Sequence, residues 1–286
     1  MSSSSNAAII VGVDGSPSSD AAVRWAAQES AMYRVPVHLV SAFDIERTHV
    51  HEQQRRERIY QSRERQAQLA LERAQRIVNA VSNNAVHCHV AFGHPVQVLM
   101  EAARDARILV VGCRGLRPMD RLLLGSVSTA LLHHAPCPVA VVHQEAAPDK
   151  SLPVLLGIDG SPASERATAI AFAEASHRKV PLVAVHAWHD WNVVGPEIDL
   201  DVTVNEEKQT LAERLAGWQE RYPDVTVERR VVCDLARHYL VEESAHTQLV
   251  VVGSHGRGGF TGMMLGSVAS AVAQASRVPV VVARPS

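Results

Sequence analysis

Apolar residues fall in short continuous runs, separated by longer stretches that mix apolar and polar positions. Runs of this length bounded by turn residues predict buried strands, and the mixed stretches predict amphipathic helices. In the first half, strands are expected near 8–14, 36–43, 85–91, 107–112 and 138–143, with helices near 18–33, 52–82, 95–105 and 126–134. In the second half, strands are expected near 153–159, 181–188, 225–232, 248–253 and 279–283, with helices near 163–178, 204–221, 235–245 and 267–276. Strands that are apolar throughout belong to sheets covered on both faces. Regular strand–helix alternation therefore predicts a parallel, doubly wound α/β sheet in each half.

The halves are copies. Asp14-Gly15-Ser16-Pro17 recurs as Asp159-Gly160-Ser161-Pro162, an offset of 145 residues. A glycine pattern recurs at an offset of 141: Gly112, Gly115, Gly125, Ser126, then Gly253, Gly256, Gly266, Ser267. Within each copy, nine residues separate the second and third glycines. This is a duplicated domain with a loop of variable length, not a short-period solenoid. The polar stretch EAAPDKSLP, residues 145–153, reads as the linker, giving domains at 1–147 and 151–286.

At 286 residues and 47% hydrophobic, the chain can build two full cores. A net charge of −2 offers no electrostatic footprint for nucleic acid. The long charged helix of the first half has balanced signs and reads as a solvated face. The four cysteines have no C-x-x-C spacing, and the start MSSSSNAA lacks the charged and apolar regions of a signal peptide. Those features favour a reducing, cytoplasmic setting. No apolar stretch approaches the length of a bilayer span.

Ligands of open parallel sheets bind at the carboxyl ends of the strands, where the strand order reverses. Asp14 and Asp159 stand at the end of each first strand, and the glycine motifs follow each fourth strand. In a Rossmann-like or flavodoxin-like order the two signals converge on one crevice. Gly125/Ser126 and Gly266/Ser267 would open a helix and offer donors to phosphate, and each aspartate could accept from ribose hydroxyls. Each feature alone also has a plainer reading. Asp-Gly-Ser-Pro is an ordinary turn, and Gly-Ser before a helix an ordinary cap. Their joint occurrence in both halves favours a site. The P-loop pattern with its lysine, the G-x-G-x-x-G fingerprint and the G-x-S-x-G elbow are all absent from the sequence.

The spacing G-x-x-G, nine residues, G-Ser, behind a first strand ending in aspartate, resembles the ATP-binding branch of the universal stress protein family. The resemblance spans essentially the whole chain as two tandem domains. It implies two Rossmann-like/flavodoxin-like domains, each a five-stranded parallel sheet in order 3-2-1-4-5 with helices on both faces. It also implies ATP in each, with or without Mg2+. Asp14 and Asp159 would face ribose, and Ala42 and Ala187 would offer backbone groups to adenine. Gly112, Gly115, Gly125 and Ser126, and Gly253, Gly256, Gly266 and Ser267, would hold phosphates and ribose. Val127 and Val268 would add backbone donors. Ser128 would add a hydroxyl where the second domain has Ala269. Arg117, Arg121 and Arg257 lie in the nine-residue spacers, where an arginine could reach polyphosphate or lie in water. Similar tandem proteins pair their domains through the last strands, here 138–143 and 279–284. Intramolecular pairing and a homodimer of chains are expected, with a protein partner open.

Other residues are not assigned a site. His87-x-His89 and His49-x-His51 lack a third ligand of known position. Cys113 has Ser254 as its counterpart, so the position does not demand sulfur, and a packed, inert thiol is expected. The leading reading is an ATP-binding regulator of stress response or of growth and dormancy. A slow ATPase would need a positioned base, a water and usually a metal, and no second carboxylate stands at a clear spacing. A nucleotide-free interaction module would be free to lose its glycines.

Overall fold

In the computed structural model the described residues are 7–45, 53–115, 124–144, 149–188, 200–256 and 265–284. The chain divides into two units, residues 1–145 and 146–286. In the first, β1 (Ile9–Gly12), α1 (Pro17–Tyr33), β2 (Val37–Phe43), α2 (Gln53–Asn79), β3 (Val86–Phe92), α3 (Pro95–Ala102), β4 (Ile108–Gly112), α4 (Ser126–His134) and β5 (Val139–Val142) follow in order. The second repeats the plan with β6 (Val154–Gly157), α5 (Pro162–Arg178), β7 (Leu182–Trp188), α6 (Leu200–Arg221), β8 (Val227–Cys233), α7 (Ala236–Glu243), β9 (Leu249–Gly253), α8 (Ser267–Ala275) and β10 (Val280–Ala283).

Both sheets are parallel throughout, ordered β3-β2-β1-β4-β5 and β8-β7-β6-β9-β10. In each, the first strand of the unit is central, flanked by its second and fourth strands. The order reverses there, as the 3-2-1-4-5 expectation requires. In the first unit α1 packs with α2, and α3 with α4, so the two pairs cover the two faces. Burial follows position. Every residue of β4 is buried, while the edge strand β3 has several exposed positions. Ile9, Leu39, Leu109, Leu131 and Leu132 form the fully buried centre of one unit. Leu155, Leu156, Phe172, Leu182, Leu211, Leu215 and Leu249 do so in the other. Phe172 stacks on Trp218 at 6.0 Å between ring centroids, tying α5 to α6.

The first strands stop before the aspartates. β1 ends at Gly12 and β6 at Gly157, two residues short of Asp14 and Asp159. The reason is local. The Ser16 N–H donates to Asp14 Oδ1 at 2.9 Å, and the Ser161 N–H to Asp159 Oδ1 at 2.9 Å, forming a side-chain-closed turn. Gly15 and Gly160 take φ of 79° and 77° inside that turn, a conformation that suits glycine. Ser16 and Ser161 then cap α1 and α5, accepting from the N–H groups of Ser19 and Ser164, with proline at the first helical position. Both helices thus start one residue earlier than the periodicity indicates.

Candidate nucleotide site in each unit

At the carboxyl ends of the strands each unit opens a cavity, about 820 Å³ in the first and 550 Å³ in the second. Of the residues singled out from sequence in the first unit, Asp14, Ala42, Gly112, Gly115, Gly125, Ser126, Val127 and Ser128 line its cavity. Their counterparts Asp159, Ala187, Gly253, Gly256, Gly266, Ser267 and Val268 line the second.

The turn and ligand readings of the aspartate prove compatible. Asp14 Oδ1 closes the turn, while Oδ2 lies against the glycine loop, where a Cβ on Gly115 would come within 2.7 Å of it. A Cβ on Gly256 would meet Asp159 Oδ2 at 2.6 Å. Serines hold the loop from the other side. Ser16 Oγ donates to the Arg114 carbonyl at 3.3 Å, joined there by Ser18 Oγ, and Ser161 Oγ donates to the His255 carbonyl at 3.0 Å.

The glycines have a further reason to be glycine. A Cβ on Gly112 would sit 2.7 Å from the Ser18 backbone, and one on Gly253 2.8 Å from the Ser164 nitrogen. Here β4 and β9 press against the first turn of α1 and α5. These two positions would thus be kept for packing whatever the cavity holds, so their retention does not separate a binding domain from an empty one.

Gly125 and Gly266 are the N-caps of α4 and α8, and neither helix start has a side-chain cap. The N–H groups of Ser126, Val127 and Ser128, and of Ser267, Val268 and Ala269, lack intrahelical acceptors because they occupy the first turn. They open on the same cavity as the aspartate. Ser128 requires a correction as a ligand group. The residue is 4% exposed and its hydroxyl donates to the Gly112 carbonyl at 2.7 Å, so its proton is spent within the protein.

Sequence reading missed several residues. From α2, Ile59 and Arg63 reach the first cavity, with Asp44 beyond β2, and His94 and Pro95 at the start of α3. Arg114 and His255 line corresponding walls. Helical spacing would have placed Ile59 and Arg63 on one face of α2, but only the fold aims that face at the sheet end. In the second unit Ile158, which lines the cavity, is anchored by His186. The His186 Nδ1 lies 2.8 Å from the Ile158 carbonyl and its Nε2 3.1 Å from Glu207 of α6. Arg117, Arg121, Arg257, His49 and His51 lie outside the described residues.

Cys113 is buried, as expected of a packing thiol. His87 and His89 are exposed on β3, with His87 edge-on to His38 at 4.8 Å. Burial and the neighbouring His87 lower the pKa of His38. Among the described residues no group of three or more histidine, cysteine, aspartate or glutamate side chains could hold a metal ion, and no helix is long and apolar enough to cross a membrane.

A family model described as the universal stress protein family matches residues 6–143 and again 152–284. The chain belongs to the universal stress protein family. Universal stress protein Rv2005c of Mycobacterium tuberculosis is 49% identical over 287 aligned residues, covering 97% of each chain. Universal stress protein Rv2623 of the same organism is 45% identical, covering 100% of this chain and 99% of its own. The crystal structure of a universal stress protein from Archaeoglobus fulgidus has the same fold, with a TM-score of 0.74 at 18% identity, covering 98% of this chain and 96% of its own. Universal stress protein domains thus account for both units, and the family resemblance read from the glycine spacing is confirmed.

Proposed function

We propose that each unit holds one ATP, and that the bound nucleotide biases which conformation or protein partner the chain adopts. The chain would act as a regulator of stress response or of growth and dormancy. One observation carries the reading. In both units a carboxylate oxygen and an uncapped helix N-terminus share one cavity at the reversal of strand order.

The residues suit a nucleotide from end to end. Val13, Val40, Ala42 and Val111 offer an apolar seat for adenine in the first cavity, and Ile158, Val185, Ala187 and Val252 one in the second. Both volumes fall in the range of small-molecule pockets. Asp14 and Asp159 would accept from ribose hydroxyls. Ser126, Val127, Ser267 and Val268 would donate backbone N–H groups to phosphates, with Gly115, Gly125, Gly256 and Gly266 leaving room for the approach. Mg2+ would arrive on the phosphates rather than in a protein-built cage.

A hydrolase is the weaker reading. Asp44 supplies the first cavity with a second carboxylate, but nothing in the second cavity matches it among the described residues. Homodimerisation and a protein partner belong to the same proposal, as the means by which a nucleotide-bound state would be read.

Calorimetric titration of the full chain with ATP and Mg2+ should give two binding events per chain, with turnover slow or undetectable. Turnover at an ordinary enzyme rate, lost in Asp14→Ala/Asp159→Ala, would replace the regulator by an enzyme.

A further inference from the structure

The loops that follow β4 and β9 differ at two adjacent positions. Cys113 and Arg114 in the first unit stand where Ser254 and His255 stand in the second. The match holds in space: the carbonyls of Arg114 and His255 accept from the equivalent cap serines, and both residues line their cavities. A guanidinium is charged at every physiological pH. An imidazole changes its charge between about pH 5 and 8.

Ser254 prepares the imidazole for that change. It is 0% exposed, its N–H donates to the Ala283 carbonyl at 2.7 Å, and its Oγ lies 2.8 Å from His255 Nδ1. A hydroxyl both donates and accepts. It donates to Nδ1 of the neutral ring and accepts from Nδ1–H of the charged ring, so it orients the ring in both states. A carboxylate in its place would select the charged form, and a backbone N–H the neutral one.

We propose that His255, oriented by Ser254, is a titratable anion contact that makes the second unit's hold on nucleotide phosphates pH-dependent, where Arg114 gives the first unit a fixed charge. This rests on the nucleotide reading above. The contact is present when the imidazole is protonated and is lost as pH rises and the ring becomes neutral. Other charged or titratable groups stand on the elements around it: Asp159 on the turn after β6, Arg214 of α6 over Gly160, Arg284 beside Ala283, and the His186–Glu207 pair beneath Ile158. His94 gives the first cavity an imidazole of its own, so each site is compared with its own variant.

The test is calorimetric titration of the full chain with ATP at about pH 6 and about pH 8. ATP's own terminal phosphate gains charge over part of this range, since phosphate esters titrate near pH 6. Comparing variants removes that common effect. Affinity at the second site, taken as the ratio between the lower and higher pH, should be about tenfold larger in wild type than in His255→Gln or His255→Arg. Cys113→Ser/Arg114→His, which rebuilds the Ser254–His255 pair in the first unit, should confer similar extra pH dependence on the first site. Two ATP events whose pH ratios are the same in wild type and both His255 variants would overturn the titratable contact and leave the nucleotide reading standing. Absence of ATP binding at either pH would overturn both.

Discussion

Two glycines three residues apart, Gly112 at the end of β4 and Gly115 in the loop after it, are constrained by different neighbours. A side chain on Gly112 meets rigid backbone of α1, whereas one on Gly115 meets only the carboxylate of Asp14. Gly112→Ala should therefore act on folding and Gly115→Ala on binding. Chemical denaturation should show Gly112→Ala destabilising by about 1–3 kcal/mol, the usual range for overpacking. Gly115→Ala should stay within about 0.5 kcal/mol of wild type while ATP affinity at that site falls about tenfold through displacement of Oδ2. Gly253→Ala and Gly256→Ala should repeat the contrast. At the turn, Gly15→Ala should cost about 1–2 kcal/mol, because alanine is strained at its φ of 79°. The residues that line the candidate site were largely legible in the sequence because both copies mark the same positions. What each glycine is for was not, since a close approach to ligand and a close approach to a helix leave the same letter. Arg63 and Asp44 were also hidden, because nothing in their local pattern tells which residues overhang a sheet end.

The start of α4 carries the binding argument among the elements. Its N-cap, Gly125, is extended at φ −64° and ψ 153°, the conformation a residue before proline prefers. Ser126→Pro should therefore be tolerated by the helix, as proline is at the first helical position. It removes one donor from the cavity together with the hydroxyl. Thermal unfolding should move by no more than about 2 °C, equivalent to roughly 0.5 kcal/mol. ATP affinity at the first site should fall about tenfold. A shift in stability with unchanged affinity would mean that this helix end serves only the fold. In the second unit, Phe172→Ala should cost about 3–5 kcal/mol, because it empties the contact with Trp218 and Tyr222. Helices and strands were readable from the apolar periodicity, but their ends were not. The α1 and α5 starts are set by Ser16 and Ser161 caps and by the Asx turn, chemistry that periodicity does not weigh.

At the scale of the whole molecule, the duplication provides two cavities of one plan with different linings. The strand alternation made the fold class visible, and the glycine spacing its family. The inequality of the sites comes from Arg63, Arg114 and His94 on one side and His255 on the other, scattered positions that meet only in the folded chain. Ligand binding to the native state should raise stability by about 2.7 kcal/mol for each site held at a hundred times its dissociation constant. The most direct measurement is native mass spectrometry of the full chain incubated with ATP. The account predicts a population carrying two ATP molecules at saturating ATP, and at limiting ATP a shift toward one when Ser126→Pro weakens the first site. A chain that stays at its bare mass under saturating ATP, with its fold intact by circular dichroism, would contradict it.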